Sequence, residues 1–242
     1  MRIPHHKEYV HHQNPHISSQ VREVVFGMED GLVSTMGAIT GIAAATSDPF
    51  VILLSGFVII AVESISMGVG SYLSSKSEKE VELKKISEER EELRDHRVAE
   101  EHELHELYMK NGWSEELAKK MVKEASAKPE LFLNEMALHE LKIIPDNLAE
   151  PLQNGFIMGI SYIIGGAIPL VPYLLFPVPI ALLISIPLTM VGIFVLGVLT
   201  TKFTGRAWWK AGFEMFLLAG AAALVGYGVG HIADVILTNG RT

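Results

Sequence analysis

The chain contains no cysteine. That removes disulfide scaffolds, thiolate zinc sites and cysteine nucleophiles, and leaves the redox compartment open. Its first twenty residues, MRIPHHKEYVHHQNPHISSQ, hold no apolar core segment and do not read as a secretory signal. No phosphate-binding loop of the Gly-x-x-x-x-Gly-Lys type occurs, so no ATP-driven pump is encoded, and HExxH and GxSxG are absent too. No Glu-x-x-His pair occurs within residues 76–150, which weakens a di-iron oxidase reading of that acidic segment. Positive charge is also scarce. A net charge of −8 argues against a nucleic-acid partner and offers no polybasic membrane anchor.

What is present is segregated. Mean hydropathy is +0.29 although 20% of residues are charged. Residues 76–150 hold 20 of the 28 acids and 13 of the 20 basic residues. Elsewhere five stretches are long enough to cross a bilayer, which takes about 20 helical residues: 24–46, 50–73, 154–175, 178–200 and 211–236. Short turn signals, Thr46-Ser47-Asp48-Pro49 and Pro172 to Pro179, join the first and second and the third and fourth as antiparallel hairpins. With the N-terminus in the cytoplasm, 19 basic residues lie inside and only Arg241 outside. This places 76–150 in the cytoplasm and the C-terminus outside.

The middle segment reads as helices. Neither Gly nor Pro falls between Ser71 and Asn111, and Glu, Lys, Leu and Arg dominate there. The second membrane helix is expected to continue unbroken through 74–109, about 54 Å at 1.5 Å per residue. Ser114 is the expected cap of a second helix to about Ala127, and Pro129 starts a third through about Ile144.

Glu89, Glu92, Glu100 and Glu103 fall on one stripe of the long helix, within an arc of roughly 80° that also takes in His96. Four carboxylates on one stripe call for a cation, although a charge run also describes a solvated face. Met136 and Glu140 are one turn apart, with His139 nearby. A thioether beside carboxylates would favour a transition metal over Ca²⁺ or Mg²⁺; the alternative is that Met136 is core. In the membrane, Glu63 lies inside the second helix, with Met67 one turn on and Gly70 and Ser74 continuing its face. Asp30, Ser34, Gly37 and Gly41 form a matching stripe on the first, with Glu29 beside Asp30. Ionisable groups at this depth are costly and read as functional by default. The alternatives are helix locking for Glu63 and a capping or salt-bridge role near the interface for Asp30. Glu214, close to Lys210, reads as an interfacial ion pair, and His231 and Asp234 as interfacial residues. The histidines at 5, 6, 11, 12 and 16 read as a flexible arm that could collect metal.

Three runs carry a resemblance: Arg22-Glu23-Val24-Val25-Phe26-Gly27-Met28-Glu29-Asp30-Gly31-Leu32-Val33-Ser34-Thr35; Ser66-Met67-Gly68 with Tyr72-Leu73; and Gly159-Ile160-Ser161-Tyr162-Ile163-Ile164-Gly165-Gly166-Ala167-Ile168-Pro169-Leu170. With these the chain resembles the vacuolar iron transporter family, which has plant, yeast and prokaryotic members. The match covers nearly everything after about residue 20.

The resemblance implies an all-α protein, a homodimer of five-helix transmembrane subunits. A cytoplasmic three-helix metal-binding domain would be inserted between the second and third membrane helices. The expected organisation is a His-rich arm over 1–22, membrane helices over 23–75, the acidic domain over 76–150 and membrane helices over 151–242. The family's metal-gathering residues match Glu89, Glu92, Glu100, Glu103, Glu140 and Met136, and its pathway residues match Asp30 and Met67. It implies a transporter and not an enzyme, with no prosthetic group. Fe²⁺ is the implied cargo, exported against a counterflow of protons; Mn²⁺ is the alternative, and Zn²⁺ and Co²⁺ are further ions it could bind. The implied membrane is the plasma membrane in a prokaryote and a vacuole-like store in a eukaryote. Two departures stand out. Ser71 replaces an acid found in many relatives, while Glu63 appears two turns earlier, and Ala137 replaces one of two adjacent methionines. Rival classes are a membrane-anchored iron sensor or store and a membrane-bound ferroxidase.

Overall fold

The computed structural model describes residues 17–217 and 219–221. The N-terminal histidines, His231, Asp234 and most of the fifth expected span lie outside them. The described residues are helical, with no strand among them. The order is α1 (Ile17–Ala45), α2 (Pro49–Asp95), α3 (Arg97–Lys110), α4 (Glu115–Ser126), α5 (Pro129–His139), a 3-10 turn (Pro145–Asn147), α6 (Pro151–Leu175) and α7 (Val178–Thr204). Helix resumes over 208–217 and 219–221. Two compact units result: 17–73 with 152–221, and 74–151.

In the first unit, α2, α6 and α7 are long and apolar enough to cross a membrane. α1 is not among them, because Glu23, Glu29 and Asp30 interrupt its apolar sequence. Large apolar side chains stay exposed along α2 (Phe50, Leu54, Phe57, Ile65), α6 (Phe156, Ile163) and α7 (Leu183, Val191). Water penalises such a surface, whereas hydrocarbon does not.

α6 packs on both α1 and α2 by close backbone approach. A Cβ on Gly31 would stand 2.4 Å from the Tyr162 carbonyl oxygen, and one on Gly165 would stand 2.4 Å from that of Met28. Gly68 and Gly155 meet in the same way between α2 and α6. Small residues at helix crossings are the usual solution in lipid, where dispersion must replace the hydrophobic effect. Ile39, Ile52, Ile60, Leu170, Tyr173, Val178 and Ala181 fill one apolar core, and Leu32, Ile193, Leu196 and Ala219 another.

In the second unit, α3 and α4 turn about Gly112, whose φ of +96° suits a residue without Cβ. Leu104 and Tyr108 of α3, Ala118, Val122 and Ala125 of α4, and Phe132 and Met136 of α5 form its core. Ser114 occupies the N-cap of α4 as expected, but its side chain makes no capping bond.

Two sequence expectations fail here. The long helix is not unbroken: it ends at Asp95 and restarts at Arg97, with His96 at φ −125° and ψ 29°. Asp and His are poor helix formers. The restart lets Leu104 and Tyr108 reach the core, while Arg97 Nη2 donates to the Ser126 carbonyl at 2.6 Å and ties α3 to the end of α4. The third helix stops at His139, short of Ile144. There Glu140 N donates to the Met136 carbonyl (2.8 Å) and Ile143 N to that of Ala137 (2.9 Å), with Lys142 at φ 58° closing the turn. Glu214 also takes a different partner, Arg206, while Lys210 lies over the Trp209 ring.

Gly31→Ala and Gly165→Ala should each destabilise the protein by about 1–3 kcal/mol, because the contacts they would overpack are backbone atoms. Thermal unfolding in detergent reads this as a lowered midpoint for both variants.

Candidate metal sites

Glu89 lies within the last two turns of α2, Glu100 opens the buried face of α3, and Glu140 is the C-cap of α5. The break at His96 and the stop at His139 bring the three together. One carboxylate oxygen from each lies within 4.8 Å of the others. Glu89 is 3% exposed and Glu100 7%. Among the described residues, no lysine or arginine pairs with any of them, and Glu89 Oε1, Glu100 Oε2 and Glu140 Oε2 are buried without a hydrogen-bond partner.

Buried acids in this arrangement cannot all stay ionised. Two unit charges at such a separation repel by roughly 3 kcal/mol at an effective dielectric of about 20. Burial first, then the charges of Glu140 and Glu100, push the Glu89 carboxyl up to about 8. Burial and neighbouring acids raise Glu100 and Glu140 as well. A proton held between Glu89 and Glu140 relieves the repulsion in one way, and a dication among the three relieves it in another. Oxygen donors of this number suit a divalent ion of hard or borderline character.

The remaining predicted residues of this unit are placed differently. Glu92 and Glu103 are exposed, yet close enough for their charges to act on the cluster. Met136 is fully buried among Leu104, Tyr108 and Phe132, and its carbonyl receives the Glu140 amide. Sequence reasoning missed the brace beside it. Tyr108 donates to Glu135 Oε2 (2.8 Å), His139 Nε2 stands 3.3 Å from the same oxygen, and Asn111 Nδ2 is 2.9 Å from His139 Nδ1. The Glu135–His139 spacing of one turn was its only signal.

In the first unit, Asp30 of α1 and Glu63 of α2 are near enough for their charges to interact. Asp30 and Met67 are partly buried, while Glu63 is exposed on the single chain. Ser34 Oγ donates to the Asp30 carbonyl (2.6 Å) and accepts from Tyr162 OH (2.8 Å), so a third helix reaches this seam. Tyr162 had been passed over within its motif. The two expected stripes do not close against each other further along: a Cβ on Gly37, Gly41 or Gly70 would meet nothing within 4 Å. Also missed was Glu23, 3% exposed on α1, which accepts from Ser71 Oγ of α2 at 2.7 Å.

The family model for the VIT family matches residues 21–231. This chain belongs to the VIT family. Curated relatives agree along most of their lengths. Vacuolar iron transporter 1 of Arabidopsis thaliana is 28% identical over 90% of this chain and 88% of its own. Vacuolar iron transporter 1 of Eucalyptus grandis is 28% identical over 90% and 89%. The vacuolar iron transporter of Toxoplasma gondii is 29% identical over 91% and 76%. The family is one of transporters, not of enzymes.

The cluster carries a pH signature. The Glu89 carboxyl sits above its ordinary 4.5, so the folded state holds the proton more tightly than the unfolded chain does. Its contribution to stability is full below about 4.5 and is lost as pH rises through about 8. In metal-free full-length protein, amide protection of α3 and α5, corrected for intrinsic exchange, should fall across that window. Glu89→Gln should remove most of the slope.

Proposed function

We propose that this VIT-family member exports Fe²⁺ from the cytoplasm in exchange for protons, working as a homodimer. The observation that carries the reading is the trio Glu89, Glu100 and Glu140, whose buried, unpaired oxygens crowd one point. Such a group loses protons when it gains a dication and regains them when the metal leaves. The names of the relatives supply iron as the cargo. The bias of basic residues supports a cytoplasmic location for 76–150 and hence capture from that side.

In this mechanism the cytoplasmic carboxylates collect the ion, with Glu92 and Glu103 lending charge at the rim. The ion then moves to Asp30, Glu63 and Met67, which replace part of its hydration shell. A carboxylate that gives up metal on the far side takes a proton there and releases it inward, which couples the two flows. The dimer is supported by Glu63 and by the open faces at Gly37, Gly41 and Gly70, which a second copy would cover. Met136 is accounted for by its core, so the three converging ligands are all carboxylate oxygens. That donor set favours Mn²⁺ as a second cargo.

In proteoliposomes with an outward metal gradient and an inward proton gradient, Asp30→Ala should cut flux by at least about tenfold, while His5→Ala leaves it unchanged. Full activity of the Asp30 variant would remove this mechanism. Glu89→Gln should raise the metal concentration at half-maximal flux while sparing the rate at saturation. Competition between Fe²⁺ and Mn²⁺ in the same assay ranks the cargoes.

A further inference from the structure

Among the described residues of the first unit, Glu23 is the most deeply buried carboxylate, and the mechanism above does not use it. Its partners are few. Arg22 Nε and Nη2 donate to Oε1 at 3.1 and 2.8 Å, from a side chain that is itself 63% exposed. Among the described residues, Oε2 receives only the Ser71 hydroxyl, at 2.7 Å. A carboxylate oxygen has room for two such partners, so Oε2 keeps acceptor capacity on the α1–α2 seam.

The register of the seam places this oxygen. α1 and α2 run antiparallel, with Glu23 against Ser71 and Asp30 against Glu63. Glu23 and Asp30 are seven residues apart, two turns on one face and about 10 Å along the axis. Glu23 thus stands one step along from Asp30 and Glu63, at the end of the unit where α2 leaves it after Leu73. The Ser71 contact between the helices would not itself need a charge here, since an amide would accept the Ser71 proton equally well.

We infer that the Glu23 carboxylate is a further cargo-binding residue. It holds the divalent ion at the end of the α1–α2 seam before Asp30 and Glu63 receive it, and Ser71 fixes its position. Arg22, adjacent and exposed, is the resident counter-charge that the ion displaces. This rests on the transport reading above, and it adds a third acid to the seam.

Mn²⁺ uptake into proteoliposomes tests it. Glu23→Gln keeps the shape and the Ser71 hydrogen bond but removes the charge. It should lower the initial rate about tenfold at metal concentrations below half-saturation, with a monodisperse profile in detergent. Because the side chains of 23 and 71 touch, adding Ser71→Glu to Glu23→Gln returns a carboxylate to the same place and should recover most of the rate. Unchanged rates in the single variant would overturn the inference, as would a loss that the second change does not recover. If the single variant does not fold, the double variant decides by the same criterion of recovery. Uptake by the unaltered chain that Asp30→Ala blocks and Glu23→Gln leaves alone would sink this inference only. No uptake by the unaltered chain would sink the functional reading with it.

Discussion

Three carboxylates share one buried point, and they cannot share it all ionised and alone. The second unit is organised around that constraint. Glu89, Glu100 and Glu140 come from three different helices, so their convergence depends on the whole unit being folded. The apolar core of Leu104, Tyr108, Phe132 and Met136 supplies the favourable burial. The acids oppose it, and the opposition is relieved by a proton or by a cation. Folding and protonation are therefore linked in this unit, and on the proposed function metal occupancy joins them. A cluster of this kind is suited to taking up an ion and letting it go, because near neutral pH its empty state keeps a proton on Glu89.

The first unit meets a related problem with different means. Its helices expose broad apolar surfaces, yet α1 carries Glu23, Glu29 and Asp30. Glycine contacts hold α6 against α1 and α2 closely enough for Tyr162 to reach Ser34 beside Asp30. Polar groups in the seam therefore find hydroxyl partners from neighbouring helices, as groups removed from water require. Close helix packing and the polar seam depend on each other: bulkier residues at Gly31 or Gly165 would push α6 away and leave the seam's hydroxyls without partners.

Much of this was legible in the sequence. Proline and short turn signals marked the starts of α2, α5 and α6, and hydropathy marked α2, α6 and α7 as spans. Composition separated the acidic stretch from the rest because its charges cannot enter lipid. What sequence could not show was tertiary. Helical spacing put Glu89 and Glu100 on one straight stripe, but they meet because the helix breaks at His96, a residue whose propensity alone does not demand a break. Glu140 was visible as a neighbour of Met136, but its approach to Glu89 depends on α5 ending at His139. Glu92 and Glu103 had the same spacing as their partners and stayed in solvent. Glu23 and Tyr162 stood in plain view within recognisable motifs; only the crossing of α1 with α2 and α6 shows what they touch.

The claim that a dication and protons compete for one buried carboxylate cluster is tested most directly by calorimetry. Mn²⁺ is titrated into the full-length protein near neutral pH in buffers of different ionisation enthalpy. The account predicts net proton release on binding, with the release greatly reduced in Glu89→Gln. Binding without proton release, or release that is the same in that variant, would contradict it.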